Sequence, residues 1–101
     1  MPKLYECFGL VVFFYSNEHE PVHVHGNCQG RESKAEIIVA QGKVVKIRYG
    51  AVGGMRPLRG KALRDFKLLV ERRAEEILAK WVEYFVYHKK IAPQKLTRRP
   101  R

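Results

Sequence analysis

Three of the chain's four histidines fall within seven residues, His19-Glu20-Pro21-Val22-His23-Val24-His25. In an extended chain successive side chains point to opposite faces, so His23 and His25 project together, ~6–7 Å apart along the strand. Pro21 lacks a backbone donor and fixes its own φ, which suits the mouth of a strand and disfavours helix through Glu20. His19 stands just before that corner and can fold back toward the pair. Neutral imidazoles in this arrangement offer a divalent-metal site, zinc by donor type, with His19, His23 and His25 as ligands and Cys28 as a weaker fourth. The same three rings can instead move protons on RNA near neutral pH, one as base and another as acid. A third reading has them brace a hairpin and do no chemistry. The cupin pattern wants a glutamate three or four residues past the second histidine, where Cys28 and Gln29 stand, so that match fails.

A second stretch has the composition of an anion site. Gly53-Gly54-Met55-Arg56-Pro57-Leu58-Arg59-Gly60-Lys61 combines backbone amides, cations and the expected start of a helix. It is not a nucleotide P-loop, because one residue too many separates Gly54 from Gly60 and Ala62 replaces the hydroxyl residue. Arg56, Arg59, Lys61 and Arg64, with Arg48 before them, are the expected phosphate contacts.

Charge supports that expectation. The 101-residue chain carries a formal +10, spread unevenly. Residues 1–42 hold three cations against five acids, a net −2, whereas residues 43–101 hold seventeen against five, a net +12. A polyanionic partner follows, RNA or DNA ahead of a membrane surface. The longest apolar run, Leu10 to Tyr15, is too short to span a bilayer, and no signal-peptide pattern opens the chain. Cys7 and Cys28 form no disulfide framework, so a reduced, cytoplasmic protein is expected.

The elements that must position these residues read as follows. Cys7 to Tyr15 is β-branched and aromatic, a central strand covered on both faces. Val22 to Gly26, Ala35 to Ala40 and Lys43 to Tyr49 give three more, the last two joined through Gln41-Gly42. From Lys61 to about His88 the apolar residues recur with helical period, placing Leu63, Phe66, Val70, Ala74, Ile77, Leu78, Trp81 and Phe85 on one side. Trp81 and Phe85 therefore read as core, not as a base-stacking platform. Pro93 ends the pattern. The expected fold class is α+β, a small antiparallel sheet of three to four strands packed against one long C-terminal helix. Residues 1–92 form the single domain, and residues 93–101 a basic, mobile tail. One helix cannot bury Phe8, Phe13, Phe14 and Tyr15 together, which argues for a homodimer.

The order of features resembles the bacterial family known as domain of unknown function 4160. Its pattern is an opening Gly-Ile-x-Val/Ile strand, an Asp/Glu-His-x-Pro-Pro-His-x-His motif, an Ala-x-Ile strand and a helix ending in Glu-Leu-Leu-x-x-Trp. Here Gly9-Leu10-Val11-Val12, Glu18 to His25, Ala35-Glu36-Ile37 and Glu76 to Trp81 stand in those places. Val22 replaces the second proline, and Leu69 and Arg73 stand where the family often has Trp and His. The resemblance implies a partner protein encoded nearby, as in a toxin–antitoxin pair, and RNA as a target. The function expected from sequence is thus a small basic RNA-associated binding module. The alternative is a histidine-based ribonuclease or metal-dependent hydrolase.

Overall fold

Three two-residue turns organise the sheet. Phe8-Gly9, Gln29-Gly30 and Gln41-Gly42 each place both residues at positive φ (48° and 85°, 53° and 78°, 53° and 77°). That is the type I′ geometry, whose twist matches the right-handed twist of the strands it joins. A computed structural model describes residues 2–17 and 21–101. In it the turns connect β1 (Lys3–Cys7) to β2 (Leu10–Phe13), β3 (His23–Cys28) to β4 (Arg31–Ala40), and β4 to β5 (Lys43–Ala51). Two helices follow, α1 (Gly60–Arg72) and α2 (Ala74–Phe85), then a short strand β6 (Gln94–Lys95). The sheet order is β5-β4-β3-β2-β1-β6, antiparallel except for β6, which runs parallel to β1.

The α+β class holds, with two corrections. Among the described residues the sheet has six strands, not three or four. The expected first strand, Cys7 to Tyr15, is cut at Phe8-Gly9 to β2 alone, while β1 forms from the residues before it and Gln94–Lys95 supplies another. The single long helix is two, divided at Arg73, whose φ and ψ of −118° and 21° leave the helical region. Hydrogen bonds still run through the bend, Arg73 N to Leu69 O at 3.0 Å and Ile77 N to Arg73 O at 2.8 Å. The apolar period therefore continues unbroken across it. Residues after Pro93 lie against the domain: Leu96 N donates to Glu6 O at 2.8 Å, and Arg99 reaches Asp65.

Both helices cover one face of the sheet. Val12, Phe14, Val24, Ala35 and Ile37 point toward Phe66, Leu69, Val70, Ile77 and Trp81, and together these form the core. At Gly26 the packing is so close that a Cβ would lie 2.5 Å from Phe66 Cδ1. Three helix carboxylates anchor the rods to the sheet. Glu71 accepts from the Tyr49 hydroxyl at 3.1 Å, Glu75 from Val44 N at 3.2 Å, and Glu76 from the Tyr5 hydroxyl.

The Tyr5–Glu76 contact sets a pH dependence. Burial first, and then the bonded and nearby carboxylate, push the Tyr5 phenol above its usual range. The same hydrogen bond holds the Glu76 carboxyl below its usual value, with burial opposing and Arg73 assisting. A depressed carboxyl pKa contributes stability above the unfolded value, near 4.5, and that contribution disappears as pH falls through the folded value. Tyr5→Phe is therefore expected to cost about 1 kcal/mol at pH 7, modest because the Glu76 side chain is partly solvated. The gap to wild type should narrow between pH 7 and an acid pH well below 4.5, as Glu76 protonates in the folded state. Urea midpoints at the two pH values measure it, and a gap that persists in acid would refute the linkage.

Candidate functional site

The face of the sheet opposite the helices carries the histidines. Alternation along β3 sets His23, His25 and Asn27 on that face and Val24, Gly26 and Cys28 on the helix side. Antiparallel pairing brings Glu36 opposite His23, Lys34 opposite His25 and Glu32 opposite Asn27. From β2, Phe13 lies opposite His25.

The two imidazoles do share a face. Their ring centroids are 5.1 Å apart at an interplanar angle of 69°. His25 is 3 % exposed, stacked on Phe13 at 5.6 Å and edge-on to Tyr15 at 4.5 Å. His23 is half-buried at the margin. Its Nδ1 lies 2.6 Å from the Pro21 carbonyl oxygen. A carbonyl only accepts, so this nitrogen carries the proton and the ring presents Nε2. His25 Nδ1 lies 3.3 Å from Glu32 Oε2, outside hydrogen-bond geometry, and the carboxylate's charge favours a proton on that nitrogen.

Glu32 is the centre of this cluster. It is 3 % exposed and accepts from the Tyr15 hydroxyl at 2.9 Å and from Asn27 Nδ2 at 3.1 Å, besides facing His25. A carboxylate behind one imidazole and a second imidazole beside it is the arrangement used to orient a general base or a metal ligand. Neither Glu32, Tyr15 nor Asn27 was expected from sequence. The signal was the turn at Gln29-Gly30, which fixes the pairing of Asn27 with Glu32.

His19 lies outside the described residues. Cys28 does not join the cluster, contrary to the expectation that it could serve as a fourth ligand. Strand alternation turns it to the helix side, where it packs on the core. Among the described residues no three His, Cys, Asp or Glu side chains converge as a metal ion would require. The two imidazoles alone fall short of the three protein ligands of a catalytic zinc.

The expected phosphate contacts divide between two places. Arg48 pairs across from Glu36 and so shares the histidine face, with Lys34, whose side chain lies over Gly50. Arg59 and Lys61 instead line a cavity of about 380 Å³ at the start of α1, together with Arg31 and Arg99. The first turn of α1 has no acidic residue and no side-chain cap, and its Gly60, Lys61 and Ala62 line the cavity. Desolvation, then repulsion from Arg59 and Arg56, lowers the pKa of Arg31, which places Arg56 in the same cationic group. Arg64 sits one residue before Asp65, its Nη1 3.6 Å from Oδ1. Sequence reasoning missed Arg31, and it took Arg99 only as part of a basic tail, not as a member of this cavity; both are remote in the chain from the glycine loop.

No helix among the described residues is long and apolar enough to cross a membrane. Neither the curated proteins nor the solved structures offer a match to this chain. The family model described as "Domain of unknown function (DUF4160)" matches residues 9–82, from the turn glycine before β2 through the histidine strand to the end of the α2 core, and the chain belongs to that family.

Proposed function

We propose that the protein is a cytoplasmic RNA-binding module that grips phosphate at the start of α1. The observation that carries this reading is the convergence of Arg31, Arg59, Lys61 and Arg99 on one cavity at an uncapped helix N-terminus. Cations held near one another repel, and a polyanion relieves that repulsion while releasing its own counterions. Arg64 extends the phosphate track on α1, and Arg48 offers a separate phosphate contact on the histidine face. Association with a partner protein, as in a toxin–antitoxin pair, or with a second copy belongs to the same proposal.

Titration of a labelled single-stranded RNA across about 50 to 200 mM salt tests it. The logarithm of affinity should fall linearly with that of salt, by about 0.7 per phosphate contact. Arg59→Ala and Lys61→Ala should each reduce the slope by about that amount. An affinity indifferent to salt, or slopes unchanged in both variants, would overturn the reading.

A second reading rests on a separate observation, the buried Glu32 set 3.3 Å behind His25 with His23 alongside. Under it the histidine face cleaves RNA by acid–base catalysis, or acts as a metal-dependent hydrolase with His19 as third ligand.

A further inference from the structure

Resting on that phosphate-binding reading, we propose that the cavity at the start of α1 is a site for a single ribonucleotide unit, with phosphate, sugar and base each met by a different group. Three features of the cavity match the three parts of such a ligand, and the second and third are not needed merely to bind a phosphate.

The first is the cationic mouth with its exposed helix amides, suited to the phosphate. The second is Asp65. This carboxylate lines the same cavity and is 1 % exposed. Its Oδ2 accepts from Arg99 Nη1 at 2.5 Å, while its Oδ1 has no hydrogen-bond partner. Arg64 Nη1, at 3.6 Å, is an ion-pair neighbour of Oδ1 but beyond hydrogen-bond reach. A buried acceptor left open in this way calls for a ligand donor. Asp65 follows Gly60 by five residues, ~7.5 Å along the helix axis. That reach suits a ribose hydroxyl when the phosphate sits at the first turn.

The third is Phe8. It lines the cavity yet is 56 % exposed, with the Arg99 guanidinium 4.6 Å from its ring centroid. It also holds a left-handed backbone, φ 48°, at a turn position that usually goes to Asn, Asp or Gly. A bulky aromatic kept exposed in that conformation offers a base its open face, and stacking of this kind tolerates any base.

Calorimetric titration of the full chain with AMP, adenosine and 2′-deoxy-AMP tests the assignment. AMP should bind at least about tenfold more tightly than adenosine, and about fivefold more tightly than the deoxynucleotide. Phe8→Ala removes an exposed side chain, so folding should be unaffected while AMP affinity falls about tenfold. Asp65→Asn should erase the preference for ribose. Equal binding of AMP and adenosine, no AMP binding by the wild-type chain at about 10 mM, or unchanged AMP affinity in Phe8→Ala overturns the nucleotide site. Salt-dependent RNA binding that survives such a result leaves the proposed function standing. AMP binding without RNA affinity at low salt would instead overturn the proposed function and keep the nucleotide site.

Discussion

Gly26→Ala should be the most damaging single-methyl change in the protein. The added Cβ would lie 2.5 Å from Phe66 Cδ1, 2.7 Å from Cε1 and 3.1 Å from Cγ, all inside the distance at which such atoms repel. Phe66 is wholly buried and cannot swing into solvent to make room. Its ring presses on the backbone of β3 because glycine leaves a gap there. Filling the gap must push α1 off the sheet or displace the strand, and overpacking of that kind costs about 3 kcal/mol. With a urea slope of ~1.5 kcal/mol/M for a chain of this size, the midpoint should fall by about 2 M. The cause can be isolated, because Phe66→Leu shrinks the ring that does the clashing. The double variant should be more stable than the sum of the two single losses by ~1 kcal/mol or more. Gly26→Ala within about 0.5 kcal/mol of wild type would show that the helix is not seated where the structure puts it. Gly26 lies between His25 and Asn27, so the same displacement would also disturb the histidine face.

What could be read from the residues, and what could not, follows from how local each signal is. Alternation along β3 is a property of the extended chain alone, so the pairing of His23 with His25 on one face was legible and holds at 5.1 Å. The amphipathic stripe from Phe66 to Trp81 was legible for the same reason. Phe8-Gly9 was not, because the turn lies near the start of an apolar run, and hydrophobicity hid the glycine that folds the chain back onto Lys3–Cys7. The bend at Arg73 left no mark either. It has no proline or glycine, and the hydrogen bonds on either side keep the period intact. β6 is a two-residue polar strand whose only cause is the neighbouring edge of β1, a contact across almost the whole chain. Glu32 and Asp65 illustrate the harder limit. Each is an acid in a charged stretch, and only the fold reveals that both are buried, one against a histidine and the other against an arginine of the tail.

The histidine face makes its strongest prediction through Glu32. This buried carboxylate accepts from Tyr15 and Asn27 and lies 3.3 Å from the Nδ1 of His25. Glu32→Ala removes that acceptor from a largely buried site, and a buried donor deprived of its partner costs ~1–3 kcal/mol. Two or three such groups share the loss and can partly re-pair, so a total near 3 kcal/mol is expected. Glu32→Gln keeps the volume but turns one oxygen into a donor facing donors, and should cost about 2 kcal/mol. Nitrogen NMR of the rings separates this mechanism from simple packing. In wild type both His23 and His25 should be protonated on Nδ1. In Glu32→Ala the His25 signal should shift toward the other tautomer, while His23, held by the Pro21 carbonyl, stays as it was. Unchanged His25 signals together with a loss under about 0.5 kcal/mol would mean that Glu32 does not orient the ring. The catalytic reading is decided in the same variants. If the orientation serves RNA cleavage, Glu32→Gln and His23→Ala should each slow turnover by about 100-fold or more, at a temperature where the folded state still dominates. RNA cleavage that is absent in wild type, or undiminished in both variants, would reduce this face to a hydrogen-bonded brace for the sheet and leave phosphate binding at α1 as the protein's business.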